Sequence, residues 1–164
     1  MEGALAGTEL KPMRNNLQLV LIVILLGMVI VPRACSKKPL SQEQREQAFQ
    51  EMMNGVTLDG RSTRLNDDKV IGQEKYVIEG VTKLTGNTWL LRSRLQFGGR
   101  DIPVPLPVNI EWAGDTPVIT MTDFSIPGMG SYTARVVLYR GQYAGTWSGE
   151  KGGGQVFGKI VRNP

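Results

Sequence analysis

"KYVIEGVTKLTGNTWLLRSRLQF", Lys75 to Phe97, is the stretch whose reading decides the fold. Trp89, Leu91, Ser93, Leu95 and Phe97 fall on one face, and Leu90, Arg92, Arg94 and Gln96 on the other. Successive side chains of a strand point to opposite faces, so this is the alternation of a half-buried antiparallel strand. The preceding "KYVIEGVTKL" alternates too. With Thr85-Gly86 as a two-residue hairpin loop, Tyr76 faces Leu95, Ile78 faces Ser93, Gly80 faces Leu91 and Thr82 faces Trp89, all on the apolar side. On the polar side Glu79 meets Arg92, a cross-strand charge pair worth roughly 0.2 to 1 kcal/mol. Hydrophobic pattern and charge pattern select the same register independently.

The same rhythm continues outward from this hairpin. Turn signals at Gly98-Gly99, Gly114-Asp115-Thr116-Pro117, Pro127-Gly128, Arg140-Gly141 and Gly152-Gly153-Gly154 divide the chain at intervals of roughly 10 to 15 residues. The pattern gives eight strands, at about 55 to 64, 74 to 84, 87 to 97, 101 to 113, 117 to 126, 130 to 140, 143 to 149 and 155 to 162. Tight connections make an all-β, up-and-down antiparallel meander. Eight strands suffice to close a small barrel whose interior is filled by side chains or holds one small ligand; a two-sheet sandwich is the rival arrangement.

"RDIPVPLPVNIEW", Arg100 to Trp112, puts prolines at alternate positions of a strand. Proline has no N–H for a sheet ladder. Residues two apart in an antiparallel strand point their N–H groups at the same neighbour, so Pro103, Pro105 and Pro107 remove donors along one edge only. The strand should pair normally on one side and poorly on the other, marking a seam in the barrel or a protected sheet edge. Ile102, Val104, Leu106, Val108, Ile110 and Trp112 form a continuous apolar stripe on its inner face. A polyproline ligand is the contrary reading, but the PxxP spacing of SH3 ligands is absent.

Two segments precede the strands. Residues 1 to 36 contain Leu17 to Val31, "LQLVLIVILLGMVIV", an apolar run preceded by Lys11 and Arg14, with Met13 an alternative start to Met1. A signal-peptide core needs about 7 to 15 apolar residues and a membrane span about 20, so the run suits an export signal. Three endings stay open: cleavage after Ser36, read by the small residues Ala34 and Ser36; lipid attachment at Cys35, whose setting resembles a bacterial lipoprotein signal; and an uncleaved anchor that keeps the chain on the membrane. Residues 37 to 54, including "PLSQEQREQAFQEMMNG", read as one short helix with Ser41 and Gln44 forming a capping box and Asn54-Gly55 a stop. Ala48, Phe49, Met52 and Met53 share a face, suited to covering an opening in the domain of residues 55 to 164. A simple tether is the alternative.

Composition removes whole classes of chemistry. The sequence contains no histidine and one cysteine. Cys/His zinc sites, Ser-His-Asp and Cys-His nucleophile arrangements and an internal disulfide are excluded. Against 15 acidic residues stand 19 basic ones, with no basic run longer than two beyond Gly55, so nucleic acid is not an expected partner. No cofactor or metal motif is present: Asp67-Asp68 in "LNDDKVIG" fall short of a calcium loop. Glu111 and Asp123 are the one carboxylate pair that strand pairing could bring together for glycoside-type hydrolysis, yet Glu111 shares the outer face of the prolines.

Aromatic residues carry the binding expectation. Tyr76, Trp89, Trp112, Tyr132, Tyr143 and Trp147 all fall on apolar faces. In "YRGQYAGTWSG", Gly145 and Ala134 leave room beside Trp147, a pairing that either fills a tapering barrel or opens a pocket. Ser93, Thr120 and Thr122 are candidate partners for buried Trp and Tyr polar atoms.

"WAGDTPVITMTDFSIPGMGSYTARVVLYRGQYAGTW" followed by "GGGQVFGKI" resembles a family of exported bacterial β-rich proteins sharing W-A-G-D-T-P, I-P-G-x-G, G-T-W and a closing G-G-x-x-F-G-K/R-I. The likeness covers roughly Gly55 to Pro164, and the family brings no assigned activity. In architecture the chain is similar to lipocalin-like and avidin-like small barrels, with Gly145-Thr146-Trp147 as an echo; fold analogy alone does not assign function. The expectation is an exported, periplasmic or cell-envelope barrel without enzymatic activity, free or held at the membrane by its amino-terminal segment. It would bind a small apolar ligand in or beside the barrel through Tyr76, Trp89, Trp112, Tyr132 and Trp147. A structural or protein-interaction module with a filled core is the alternative, and a carboxylate hydrolase a remote one.

Overall fold

The computed structural model describes residues 38–66, 69–97 and 99–164. The apolar run, Cys35, the cleavage position at Ser36 and the Asp67-Asp68 pair lie outside the described residues. Pro39–Pro164 forms one compact unit. Its elements are α1 (Gln42–Met53), β1 (Val56–Thr63), β2 (Val70–Thr85), β3 (Thr88–Phe97), β4 (Arg100–Ala113), β5 (Thr116–Ile126), β6 (Gly130–Tyr139), β7 (Gln142–Gly149) and β8 (Gly152–Arg162). Each strand pairs antiparallel with the next, and β1 pairs with β8 from Val56↔Arg162 to Ser62↔Val156, closing a barrel. Closure rules out the sandwich. All eight expected strands are present, β2 starting earlier at Val70.

Inward and outward positions follow the sequence alternation through β3 and β4. Trp89, Leu91, Ser93 and Leu95 are buried, as are Val104, Val108 and Ile110, while Pro103, Pro105 and Pro107 are exposed. The prolines do mark a seam. β4 pairs with the whole length of β3, from Thr88↔Asn109 to Phe97↔Arg100, but with β5 only from Asn109↔Thr120 to Ala113↔Thr116. Ile110 N–H donates to Asn87 O on the β3 side at 2.8 Å, so the alternate positions taken by proline face β5, where the missing donors lie. Beyond Asn109 the gap is filled by side chains instead of a ladder: Val104 and Leu95 pack with Ile126 of β5.

The β2–β3 hairpin departs from the expected register halfway along. Tyr76↔Leu95 and Ile78↔Ser93 hold, but beyond them Gly80 faces Arg92, Val81 faces Leu91, Thr82 faces Leu90 and Lys83 faces Trp89. A β-bulge at Glu79 inserts one residue and flips the side chains from Gly80 to Lys83, after which the register shifts again before Thr85. Glu79 is therefore passed over in the pairing, and Val81 is buried where Thr82 was expected. The hairpin loop is Gly86-Asn87, not Thr85-Gly86, with Thr85 opposite Thr88 and Gly86 at φ +54°. Positive φ at the first loop position is what a type II′ turn requires of a glycine.

Beyond the bulge Val81 stays opposite Leu91 of β3, while on its other edge β2 runs past the start of β1 at Val56↔Ile78 and meets α1 instead: Val81 N–H donates to Asn54 Oδ1 at 2.7 Å and Val81 O accepts from Gln50 Nε2 at 3.0 Å. The helix carries the expected capping box, with Gln44 N–H donating to Ser41 Oγ at 3.2 Å and Ser41 N–H to Gln44 Oε1 at 2.9 Å. Arg45 Nη1 donates to Gly114 O at 3.0 Å, and Arg162 donates to Glu51 O at 2.6 Å. α1 thus closes one end of the barrel, the end where β2, β4, β6 and β8 finish. Phe49 and Met53 are buried among Val56, Val81 and Trp89; Ala48, expected on that face, is exposed. A helix of this length is marginal alone, so this packing holds it in place.

Candidate functional site

Below the helix plug the barrel is not full. A cavity of about 530 Å³ runs from the middle of the barrel to the end opposite α1 and opens there. Its floor and walls are apolar side chains such as Leu58, Leu91, Val108, Ile119, Met121 and Val136, and Arg64, Asn66, Met129, Glu150 and Lys151 stand at its rim. Volumes of roughly 300 to 1,000 Å³ with apolar walls and a few convergent polar groups are typical of small-molecule sites. A shallower dent of about 220 Å³ on the outer wall, lined by Gln73, Lys75 and Gln96, encloses nothing.

Of the aromatic residues singled out from the sequence, Tyr76, Tyr132, Tyr143 and Trp147 line this cavity, with the Tyr132 and Trp147 rings 6.4 Å apart. Trp89 and Trp112 do not. They stand at the plugged end, where Phe49 meets Trp89 edge-on at 5.1 Å and Trp112 at 6.5 Å, and the Arg45 guanidinium lies 5.3 Å from the Trp112 ring. The parity of β3 and β4 points both inward, but the helix occupies the space they face. Glu111 and Asp123 do not meet either: both are exposed, and Glu111 pairs opposite Val118, five residues or about 16 Å along β5 from Asp123. Glu111 accepts from Asn87 Nδ2, and Asp123 from Thr133 Oγ1 at 3.1 Å.

Glu74, not picked from the sequence, and Tyr143, noted there among the aromatic residues on apolar faces, give the cavity a polar wall. Glu74 of β2 accepts from Ser62 Oγ at one carboxylate oxygen and from the Tyr76 hydroxyl at the other. Tyr143 lies across β8 and β1: a Cβ on Gly158 would sit 2.7 Å from its ring, and one on Gly60 2.3 Å from its hydroxyl. The backbone of the facing strand is nearer still, Phe157 O at 2.1 Å for Gly60 and Asp59 O at 2.3 Å for Gly158, so the two glycines let β1 and β8 approach closely as well as leaving room for the ring, and Gly60 is the residue paired with Glu74. Burial, followed by the charge of Glu74, raises Tyr143 above the ordinary tyrosine value and Tyr76 well above it, so both hydroxyls stay protonated at neutral pH. The Tyr143 hydroxyl and Trp147 Nε1 are buried without a hydrogen-bond partner among the described residues.

The hydroxyls expected to be their partners are engaged elsewhere. Ser93 Oγ donates to Val104 O at 2.7 Å, Thr120 Oγ1 to Asn109 O at 3.2 Å, and Thr122 Oγ1 accepts from Arg135 Nη2 at 2.9 Å. Glu74 has the same strand parity as Tyr76 and Ile78, so its inward direction was readable; a carboxylate at the first residue of an expected strand reads first as a solvated end.

Compared with protein-family models, characterised proteins and solved structures, the chain matches none. Among the described residues no helix is long and apolar enough to cross a membrane, and no three Cys, Asp or Glu side chains converge to hold a metal ion.

Proposed function

We propose that the chain is an exported barrel that takes up a small, largely apolar ligand through its open end and holds it against Tyr76, Tyr132 and Trp147. The observation that carries this reading is the cavity of about 530 Å³, closed at one end by α1 and open at the other. A core filled by its own side chains would leave no such space. Export, with the protein free in or tethered to the cell envelope, is supported by the apolar run Leu17 to Val31 and its basic flank. A second role in protein interaction draws on one feature: Val137, Ala144 and Phe157 form an exposed apolar row across the outer faces of β6, β7 and β8.

The test is titration with N-phenylnaphthylamine, a dye that fluoresces in apolar surroundings. One saturable site per chain is expected, lost in Ala134→Trp, which fills the cavity beside Trp147. Absence of saturable binding, or binding untouched by Ala134→Trp, would defeat the proposal. Native mass spectrometry of protein from its own cell would show a retained ligand and any lipid on Cys35.

A further inference from the structure

Glu74 is a charged group set inside an otherwise apolar barrel, below the rim. No Lys or Arg side chain among the described residues forms an ion pair with it; its only partners there are the hydroxyls of Ser62 and Tyr76. A carboxylate in such surroundings is costly to hold unless its remaining lone pairs find donors. Beside it is a second unmet group. The Tyr143 residue is 2% exposed, and its hydroxyl, lodged against Gly60 opposite Glu74, has no partner among the described residues. A ligand group that donates several hydrogen bonds and carries positive charge would satisfy both, and the surrounding tyrosine rings would favour it further through their negative faces.

From this geometry we infer that the ligand is an organic amine: an apolar body in the barrel with a protonated nitrogen placed between Glu74 and the Tyr143 hydroxyl. The inference rests on the cavity being a ligand site. An anionic ligand is the opposite arrangement. It would bring its head to Arg64 and Lys151 at the rim, where Glu150 offsets them, and would place a second negative charge near Glu74.

Calorimetric titration of the full chain with octylammonium, octanol and octanoate separates these cases, because the three share one apolar body. Octylammonium is expected to bind about ten- to a hundred-fold tighter than octanol, the range of a charge-assisted hydrogen bond, with octanoate weakest. Glu74→Gln should bring octylammonium down to the affinity of octanol and leave octanol unchanged. Tyr143→Phe should weaken octylammonium several-fold. If octanol or octanoate binds as tightly as octylammonium, or if Glu74→Gln keeps the preference, the amine assignment is overturned while the cavity remains a ligand site. If none of the three binds, the cavity reading itself falls and takes this one with it. Should Glu74→Gln not fold, the comparison of the three probes on the unaltered chain still decides.

Discussion

Phe49→Ala removes the ring that joins the helix to the barrel. Phe49 is 1% exposed, and its contacts are two edge-on indoles, Trp89 at 5.1 Å and Trp112 at 6.5 Å. Burial of a phenylalanine side chain is worth about 1.5 to 3 kcal/mol by transfer, and the cavity left behind adds to the loss, giving about 3 to 5 kcal/mol for Phe→Ala in a core. The edge-on contact with Trp89 should account for about 0.5 to 1.5 kcal/mol of this, measurable as the coupling in a cycle with Trp89→Ala. Relaxation cannot recover much, because Met53, Val56 and Val81 around the ring are themselves fully packed. Urea denaturation should show the midpoint falling by the corresponding amount. Tryptophan emission should shift to the red in the native state, as water reaches Trp89 and Trp112. A loss below about 1 kcal/mol with unchanged emission would refute the plug, since a helix resting on the surface would behave in that way.

A methyl group at Gly145 would lie 2.0 Å from Arg135 O and 2.7 Å from Val136 Cα, backbone atoms that cannot swing aside. Gly145→Ala should therefore cost about 3 kcal/mol, the upper end for overpacking, in chemical denaturation. Gly141→Ala, at φ +73° with open space around it, should cost only the left-handed backbone term of about 1 to 2 kcal/mol; equal losses would contradict the close approach. Alkaline pH should also weaken the fold. Tyr76 and Tyr143 hold their protons more tightly when folded than at the ordinary value of 10.0, so their contribution is complete below pH 10 and declines as pH rises toward their folded values, by about 1.4 kcal/mol per pH unit for each proton the unfolded chain has lost. Denaturation midpoints between about pH 9 and 11.5 that fall no more steeply in the native chain than in the Tyr76→Phe, Tyr143→Phe double variant would rule this out.

Strand parity alone carries the inward direction of the cavity's aromatic residues. Tyr132 and Trp147 each point inward because side-chain direction in a strand is a local property of period two, and the structure places both on the cavity. Trp89 and Trp112 have the same parity and end elsewhere. Direction is written in the strand, but depth along the barrel and what else fills the interior depend on α1, many residues away in the chain. Glu74 and Tyr143 show the same limit: their inward faces are legible, yet their closeness arises only when β8 closes on β1 and the two glycines of that junction let the tyrosine across.

The sequence by itself determined the number and order of the strands, the inner and outer faces of β3 and β4, the capped helix and the broken pairing beside the prolines. Each of these comes from neighbours within a few residues or from a missing N–H. Only the tertiary structure decided the bulge at Glu79, the end that α1 covers and the empty volume below it. In each, distant parts of the chain meet: where β2 runs past the start of β1, Asn54 and Gln50 take the N–H and C=O of Val81, and the cavity persists because the helix reaches only one end of the barrel.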